Sequence, residues 1–296
     1  MALYSQPNSW QCGPFALKHG LLGWGVFAHE NDLARIAGSS ERDGTDETQL
    51  RRAAAAHGCE LGLVRCRTAR GARRTLERLL AAQVPVLLCI DQWDHWVTAM
   101  GADAHRVVLF DSYFDDSVMR LEPWDRLLAR LAFRQRRWRG LWRRTLYDLQ
   151  PLTSTPATSG LRLSLTPDRV EQLSQVPDGF GRVWDDYGRA LRPLVATNGR
   201  GNRAQPLDAF LARHRQSILH EVVRQRGGES RFPAERALEH LTLAAELFSA
   251  RLRPVLVNRA VARAAVITAR FLPATLPRME PLPATTAEAV LAVASA

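Results

Sequence analysis

One cysteine of this sequence lies where its thiol could act as a nucleophile. Cys12 directly precedes Gly13-Pro14, which open an apolar helical pattern that ends at Gly23-Trp24-Gly25. Unpaired backbone N–H groups and the helix dipole favour a thiolate at a helix N-terminus, and the thiolate is the reactive form of cysteine. Gly13 would let a substrate approach the backbone, whose N–H groups could face an oxyanion. The competing interpretation is a buried cysteine that simply begins a helix.

A histidine and an aspartate further along the chain could serve as a base and its orienting group. The runs His95–Gly101 and His105–Asp111 have the pattern of a β-hairpin. If the pairing is centred on residue 103, His95 lies directly opposite Asp111 on one face, with their Cβ atoms about 4.5–5.5 Å apart. A carboxylate at that distance orients an imidazole, as in a catalytic triad. A one-residue bulge would change this register.

These segments resemble the C39-type, bacteriocin-leader-processing branch of the papain-like cysteine peptidases. The resemblance extends over about residues 4–120 and rests on motifs in the family's order: Gln6, Cys12-Gly13-Pro14, Leu33-Ala34-Arg35-Ile36-Ala37-Gly38, Gly44-Thr45, His95-Trp96-Val97 and Asp111. It implies a nucleophile at Cys12, a base at His95 and an orienting carboxylate at Asp111. It also implies an oxyanion-hole side chain at Gln6. The chain departs from the family at Gln11, where an acidic residue often precedes the nucleophile.

The elements that must position these residues change type along the chain. Helical periodicity predicts four helices. One begins near Gly13, and the other three cover 29–38, 46–57 and 70–82. Branched apolar runs then predict strands at Val84–Ile90, His95–Gly101 and His105–Asp111. Helices followed by an antiparallel sheet favour an α+β fold. The resemblance implies that residues 1–150 form a papain-like cysteine peptidase domain.

An uncharged segment, 151–160 (PLTSTPATSG), has the composition of a linker. Beyond it, helical patterns occur at 167–175, 181–195, 206–226, 233–252, 254–271 and 285–295. Pro206 and Pro233 stand at predicted starts and Gly227-Gly228 follows one predicted end, in agreement with helix-terminus preferences. We therefore expect 161–296 to form a mainly α-helical C-terminal domain, whose role the sequence does not indicate.

The net charge of +10 comes from 40 basic and 30 acidic residues, and every basic residue except Lys18 is arginine. Such arginine usage is typical of a GC-rich bacterial genome. The segment Arg126–Arg144 contains eight arginines and no acid, interleaved with aromatic residues. That pattern suits a nucleic-acid surface, and it suits an anionic membrane surface or an acidic protein partner equally well. Nucleic acid is the less expected partner, because the motifs indicate a peptidase. The competing interpretation makes these arginines the solvated side of a core-forming segment.

Several classes of protein are excluded by what the sequence lacks. No basic region followed by an apolar run begins the chain, and no uncharged apolar stretch is long enough for a bilayer, so we expect neither a signal peptide nor a membrane span. The four cysteines show no CxxC pair and no zinc-ligand spacing with histidine, so we expect no metal and no cofactor. Cys59, Cys66 and Cys89 are expected to be buried apolar side chains. A reduced, cytoplasmic protein fits this cysteine usage.

The sequence thus predicts a cysteine peptidase or amidohydrolase that acts on a peptide or protein substrate through Cys12, His95, Asp111 and Gln6. A transferase or deamidase variant remains open, because a thioester intermediate reacts with water or with an amine. The alternative that is not an enzyme is a catalytically degenerate papain-fold interaction protein. Such a protein would bind an acidic partner or nucleic acid through its Arg-rich surfaces.

Overall fold

The computed structural model describes residues 5–114, 118–136, 143–154, 160–176, 180–196 and 205–272. Within these ranges the chain is α+β, as the helix and strand patterns predict. An antiparallel sheet lies between layers of helices, and the two faces of the sheet pack against different helices.

In the described part of the chain, four α-helices and two short strands precede the central strands of the sheet. They are α1 (Cys12–Gly23), α2 (Glu30–Ala37), α3 (Glu47–Ala56), β1 (Cys59–Leu61), β2 (Val64–Cys66) and α4 (Ala69–Ala81). Gly38 ends α2 with a left-handed φ of 74°. Asp46 is the N-cap residue of α3 and forms a capping box with Gln49. A glycine after a helix and a capping box before one are preferred at these positions.

The remaining strands are β3 (Val86–Ile90), β4 (His95–Ala102), β5 (Arg106–Phe110), β6 (Met119–Pro123), β7 (Phe133–Arg136) and β8 (Arg143–Ser154), with α5 (Trp124–Leu131) between β6 and β7. The strand order is β1-β8-β3-β4-β5-β6, and β2 and β7 also pair with β8. Each of these pairs is antiparallel. Because β8 pairs with four other strands, it holds the sheet together.

Strand β8 corrects an expectation drawn from composition. Residues 151–154 have the composition of a linker, yet they form the end of β8, where Pro151 pairs with Val86 and Leu152 pairs with Leu61. Leu152 is fully buried, and its burial outweighs the turn preferences of its neighbours because strand formation depends on packing. Residues 155–159 of the predicted linker lie outside the described residues.

Alternate residues of the central strands face different layers of helices. Leu87 and Cys89 of β3 pack with α1, α2 and α3, whereas Leu88 and Ile90 of the same strand pack with α4 and α5. This alternation is the two-residue period of a β-strand. Helix α1 is buried along its whole length, so its position against the sheet is fixed by packing on all sides.

Beyond residue 160, the described helices are α6 (Pro167–Ser174), α7 (Phe180–Ala190), α8 (Leu207–Arg213), α9 (Arg215–Arg226), α10 (Arg231–Leu247) and α11 (Val257–Ala269). The single helix predicted over 206–226 is therefore two helices, which meet at His214. The helix predicted over 285–295 lies outside the described residues.

These later helices pack against the sheet. Trp184 of α7 is fully buried, and its ring contacts those of Phe110 in β5 and Phe248 after α10. The extended segment after residue 160 also joins the two parts, because the Leu163 backbone N–H donates to the carbonyl oxygen of Gly23. Residues of the sheet and of the later helices consequently belong to one hydrophobic cluster.

Candidate active site

Cys12 is the first residue of α1, and only 6% of it is exposed. Gln11, the N-cap residue, makes no side-chain capping bond in the described structure, so the first N–H groups of α1 remain to interact with an anion near the thiol. A Cβ at Gly13 would lie only 2.8 Å from the Cβ of Thr45. Close packing with Thr45 therefore favours a glycine at position 13.

His95 begins β4, and its ring contacts both Asp111 and Cys12. The Nε2 atom lies 2.7 Å from Oδ1 of Asp111, and the side chain of Cys12 is a second neighbour that raises the pKa of the ring. Because Nε2 contacts the carboxylate, Nδ1 is the ring nitrogen left for the sulfur. The Asp111 side chain is buried, whereas 13% of the His95 side chain is exposed. The structure thus brings three of the four predicted site residues into one chain of contacts.

The register of the β4–β5 hairpin differs from the predicted one. Val107 pairs with Ala102, so the turn is centred between Ala104 and His105 and not on residue 103, and a bulge between Ala99 and Gly101 then shifts the pairing back by one residue. Extending the register beyond Phe110 would place Asp111 opposite Val97. His95 is two residues from Val97, which keeps it on the same face as Asp111 at a diagonal position. The direct opposition was wrong, but the two side chains still meet.

The contacts of His95 determine its protonation state. Burial of the ring disfavours its charged form, but hydrogen bonds with Asp111 and Cys12 outweigh burial and raise the pKa of His95 to about 9. Burial also opposes ionisation of Asp111, yet the hydrogen bond from His95 keeps the pKa of this carboxyl group below its usual value. At neutral pH the ring is therefore an imidazolium between a carboxylate and a cysteine sulfur. Such a ring can stabilise a thiolate and can later donate a proton.

Gln6 lies against Ser112, the residue that follows Asp111. The Gln6 backbone N–H donates to the Ser112 carbonyl oxygen over 2.8 Å, and the Ser112 hydroxyl donates to Oε1 of Gln6 over the same distance. Nε2 of Gln6 donates to the carbonyl oxygen of Asn8. Ser112 therefore fixes which end of the amide is the donor. The sequence analysis did not single out Ser112, because one serine after a strand carries no signal of its own.

Tyr113 is a further neighbour of His95 that the sequence analysis missed. Its ring meets the imidazole edge-on, with centroids 5.7 Å apart, and its backbone N–H donates to Oδ1 of Asp111 over 3.1 Å. The side chain is 65% exposed, so it borders the site on the solvent side. The only sequence feature that could have identified Tyr113 was its position two residues after Asp111, the predicted orienting aspartate.

The tight turn that precedes His95 is held in a strained conformation. Asp91, Gln92 and Trp93 have φ angles of 55°, 64° and 68°, which residues other than glycine rarely adopt. The Asp91 carboxylate binds Arg130 over 2.7 Å, and the Gln92 amide donates to the backbone just after α5. The ring of Trp93 also stacks on Phe133, with centroids 3.6 Å apart. These contacts fix the turn that leads directly into His95.

The chain is similar to double-glycine peptidase domains. The crystal structure of a double glycine motif protease from an AMS/PCAT transporter, in complex with the leader peptide, shares 16% identity with a TM-score of 0.38 over 52% of this chain and 93% of that one. The peptidase domain of Streptococcus ComA, a bi-functional ABC transporter involved in a quorum sensing pathway, shares 17% identity with a TM-score of 0.38 over 51% of this chain and 97% of that one. Both belong to the C39 peptidases, which the motifs of the sequence resemble. No family model and no curated protein matches the sequence.

The arginine-rich segment Arg126–Arg144 is only partly described. Arg126 pairs with Glu122 over 3.1 Å, and Arg130 pairs with Asp91 as part of the turn before His95. These two arginines therefore form ion pairs within the chain. Such ion pairs fit the interpretation that the arginines are the solvated side of a core-forming segment, which requires no partner protein. Residues 137–142 of the segment lie outside the described residues, so an acidic partner at this segment stays a prediction.

Two general features of the described residues complete the description of the site. None of the helices within the described ranges is long and apolar enough to cross a membrane. The same residues contain no group of three His, Cys, Asp or Glu side chains arranged to hold a metal ion.

Proposed function

We propose that this protein is a cysteine peptidase, or a closely related thiol hydrolase, that acts on a peptide or protein substrate within a papain-like domain over residues 1–150. One observation carries the proposal. The His95 ring is held by Asp111 through one nitrogen, and it lies close enough to Cys12, at the start of α1, for this side chain to raise its pKa. A cysteine in a purely structural role would not require an imidazolium fixed by a buried carboxylate beside it.

In the proposed reaction, the Cys12 thiolate attacks the carbonyl carbon of the scissile amide and forms a tetrahedral oxyanion. Collapse of this intermediate breaks the C–N bond, and His95 donates its proton to the leaving amine. Water then attacks the thioester while His95 takes a proton from it. The second collapse breaks the C–S bond, releases the carboxylic acid product and leaves the Cys12 thiolate beside the protonated His95 ring. Asp111 keeps the imidazole in one orientation throughout.

The oxyanion needs hydrogen-bond donors that are already in place. The first backbone N–H groups of α1 are one source, because the N-cap side chain does not occupy them. Gln6 is the proposed second source. Its NH2 group carries two hydrogens, of which one bonds the Asn8 carbonyl oxygen while Ser112 fixes the orientation of the amide. The other hydrogen is the one assigned to the oxyanion.

The same thioester would pass its acyl group to an amine in a transferase, so the products decide between the two outcomes. A free carboxylate indicates hydrolysis and a new amide bond indicates transfer. All four cysteines are free thiols in the structure. A thiol must be reduced to act as a nucleophile, and four free thiols fit a reducing compartment, so the cytoplasm is the location that we propose.

The test is selective alkylation of the thiols. We expect iodoacetamide near pH 6 to modify Cys12 in preference to the other cysteines, because only Cys12 lies beside the His95 ring at a helix start. Cys59 and Cys89 are internal controls, since burial raises the pKa of the Cys59 thiol to about 11 and raises the pKa of the Cys89 thiol further. Peptide mapping by mass spectrometry identifies the labelled residue.

His95→Ala should slow the alkylation of Cys12 about 100-fold near pH 6, because an isolated thiol is almost fully protonated there. Asp94→Ala, a change at a neighbouring exposed carboxylate, is the matched control and should leave the rate within about twofold. Equal and slow labelling of all four cysteines in the wild-type protein would contradict the proposal.

A further inference from the structure

Three arginines on one face of α4 and a fourth just before the helix form a row that is separate from the candidate active site. Arg67 precedes the N-cap residue Thr68, and Arg70, Arg74 and Arg78 follow at four-residue intervals on the helix. Residues at this spacing are neighbours, and like charges among them destabilise a helix. All four are exposed. Such a row is stabilised when an anion binds to it.

Acidic residues of the described chain do not neutralise this row. Glu77, an acidic residue of α4, pairs with Arg73 on the adjacent face of the helix over 2.8 Å. Its ion pair is therefore with an arginine outside the row. Among the residues that the structure describes, neither Arg67 nor the three arginines aligned along α4 forms an ion pair. The row therefore presents its positive charge to solvent.

A cavity of about 490 Å³ lies in the crease between β2 and α4. Its lining consists of Cys66, Arg67, Gly71, Arg74, Thr75 and Arg78, with three guanidinium groups and no acidic side chain. The start of the 13-residue helix α4 adds its positive dipole end to the same crease. The shape and charge of this crease suit an elongated anionic ligand.

The strand that borders the crease also offers backbone groups. Strand β2 pairs with β8 through Val64–Leu149, Arg65–Asp148 and Cys66–Tyr147. In the described residues no strand lies on the other side of β2. Leu63 and Val64 are 46% and 36% exposed beside it. An exposed edge strand with apolar side chains is a template on which another extended chain can pair.

We propose that the β2–α4 surface, formed by Leu63–Arg67 with Arg70, Arg74 and Arg78, binds an acidic peptide segment of a partner protein as an added strand. Successive arginines of the row are about 6 Å apart along the helix, and alternate residues of an extended chain are about 6.7 Å apart. The segment therefore carries Asp or Glu at alternate positions. Its backbone pairs with β2, and its acidic side chains bind the arginine row.

A single-stranded nucleic acid has a similar spacing of charges, but the residues of the crease fit it less well. Binding of single strands relies on aromatic side chains on which the bases stack, and the cavity has none in its lining. The exposed Leu63 and Val64 suit the apolar side chains that alternate with acidic ones in a peptide strand. The binding of a peptide is accordingly the outcome to expect.

The experiment uses fluorescence anisotropy with the full chain and a labelled peptide of about ten residues in which Glu alternates with Thr. A second peptide has the same composition with its Glu residues grouped at one end, and a third carries proline at its centre. The alternating peptide should bind about tenfold more tightly than either, because grouping breaks the match to the arginines and proline removes a pairing N–H group. Equal binding of the three peptides would overturn strand addition.

Matched charge reversals locate the site. Arg74→Glu with Arg78→Glu should weaken binding of the alternating peptide about tenfold or more. Arg259→Glu with Arg263→Glu is the control, because these exposed arginines have the same four-residue spacing on α11 and the change in net charge is identical. Equal weakening by the two double variants, or tighter binding of oligothymidine than of the peptide, would overturn the proposal. Circular dichroism melts verify that both variants are folded.

Discussion

Two histidines of this protein, one fully buried and one partly exposed, have opposite protonation states. Burial disfavours the charged form of both rings. At His95 the hydrogen bonds with Asp111 and Cys12 outweigh burial and raise the pKa to about 9. At His19, on α1 with Cys12, burial and then the charge of Lys18 hold the pKa well below its usual value. The first ring is charged at neutral pH and the second is neutral.

The environments of the two rings explain the difference. Only 1% of His19 is exposed, and neither of its ring nitrogens has a hydrogen-bond partner among the described residues. The ring packs on Phe110 with centroids 5.1 Å apart. Its neighbour Lys18 forms a buried ion pair with Glu30 over 3.0 Å. The comparison shows that burial alone lowers the pKa of a histidine, whereas hydrogen-bond partners can reverse that effect.

Removal of the Asp111 carboxylate should have the largest effect on the difference in pKa between His95 and His19. In Asp111→Asn, burial dominates at His95 and its pKa should fall from about 9 to near or below the usual 6.5, which weakens proton binding about 100-fold or more. NMR titration of the ring C–H signals measures the change, with His95→Gln to assign the signal. A titration midpoint that stays near 9 in Asp111→Asn would show that Asp111 does not set the charge of the ring.

The dependence of stability on alkaline pH should follow His95. Its pKa is higher in the folded chain than in the unfolded one, so its contribution is complete below pH 6.5 and is lost as the pH rises to about 9. Over this window the free energy of unfolding should fall by about 3 kcal/mol more for the wild-type protein than for His95→Gln. Urea unfolding at several pH values measures it. Parallel curves for the two proteins would contradict the raised pKa.

The dependence on acid pH should follow His19 with the opposite sign. The pKa of His19 is lower in the folded chain than in the unfolded one. Below pH 6.5 the unfolded chain therefore binds a proton that the folded chain does not bind, and the free energy of unfolding falls as the pH falls. His19→Leu should remove up to about 2 kcal/mol of this loss between pH 7 and pH 5. Urea unfolding at the two pH values tests it. An unchanged acid dependence in His19→Leu would mean that His19 is protonated in the folded state.

The residues near the candidate site differ in how far the sequence could predict them. Cys12 was predictable because Gly13-Pro14 and the apolar run after it mark a helix start, and α1 begins there. The facing of His95 and Asp111 was predictable because strand alternation fixes which side chains share a face. Their exact offset was not, because it depends on where the hairpin turns and on a bulge between Ala99 and Gly101, and alternation along each strand fixes neither of these.

Features that depend on distant contacts escaped the sequence analysis. Strand β8 lies in a stretch rich in arginine and then in proline and threonine, and it becomes a strand because partners far away in the chain bury it. Tyr113 and Ser112 acquire their positions from His95 and Gln6. Local periodicity describes a helix face or a strand face, but it does not show which segment will cover that face.

The central position of β8 also sets the order in which the chain can fold during synthesis. Its end pairs with Cys59 and Val86, and its Leu152 carbonyl oxygen accepts a hydrogen bond from the Trp24 indole. Until residues 143–154 have left the ribosome, β1, β2 and one edge of β3 remain unpaired, and pairing over such long separations is slow. A nascent chain that stalls before residue 143 therefore exposes open strand edges, which makes it a target for aggregation and for proteolysis.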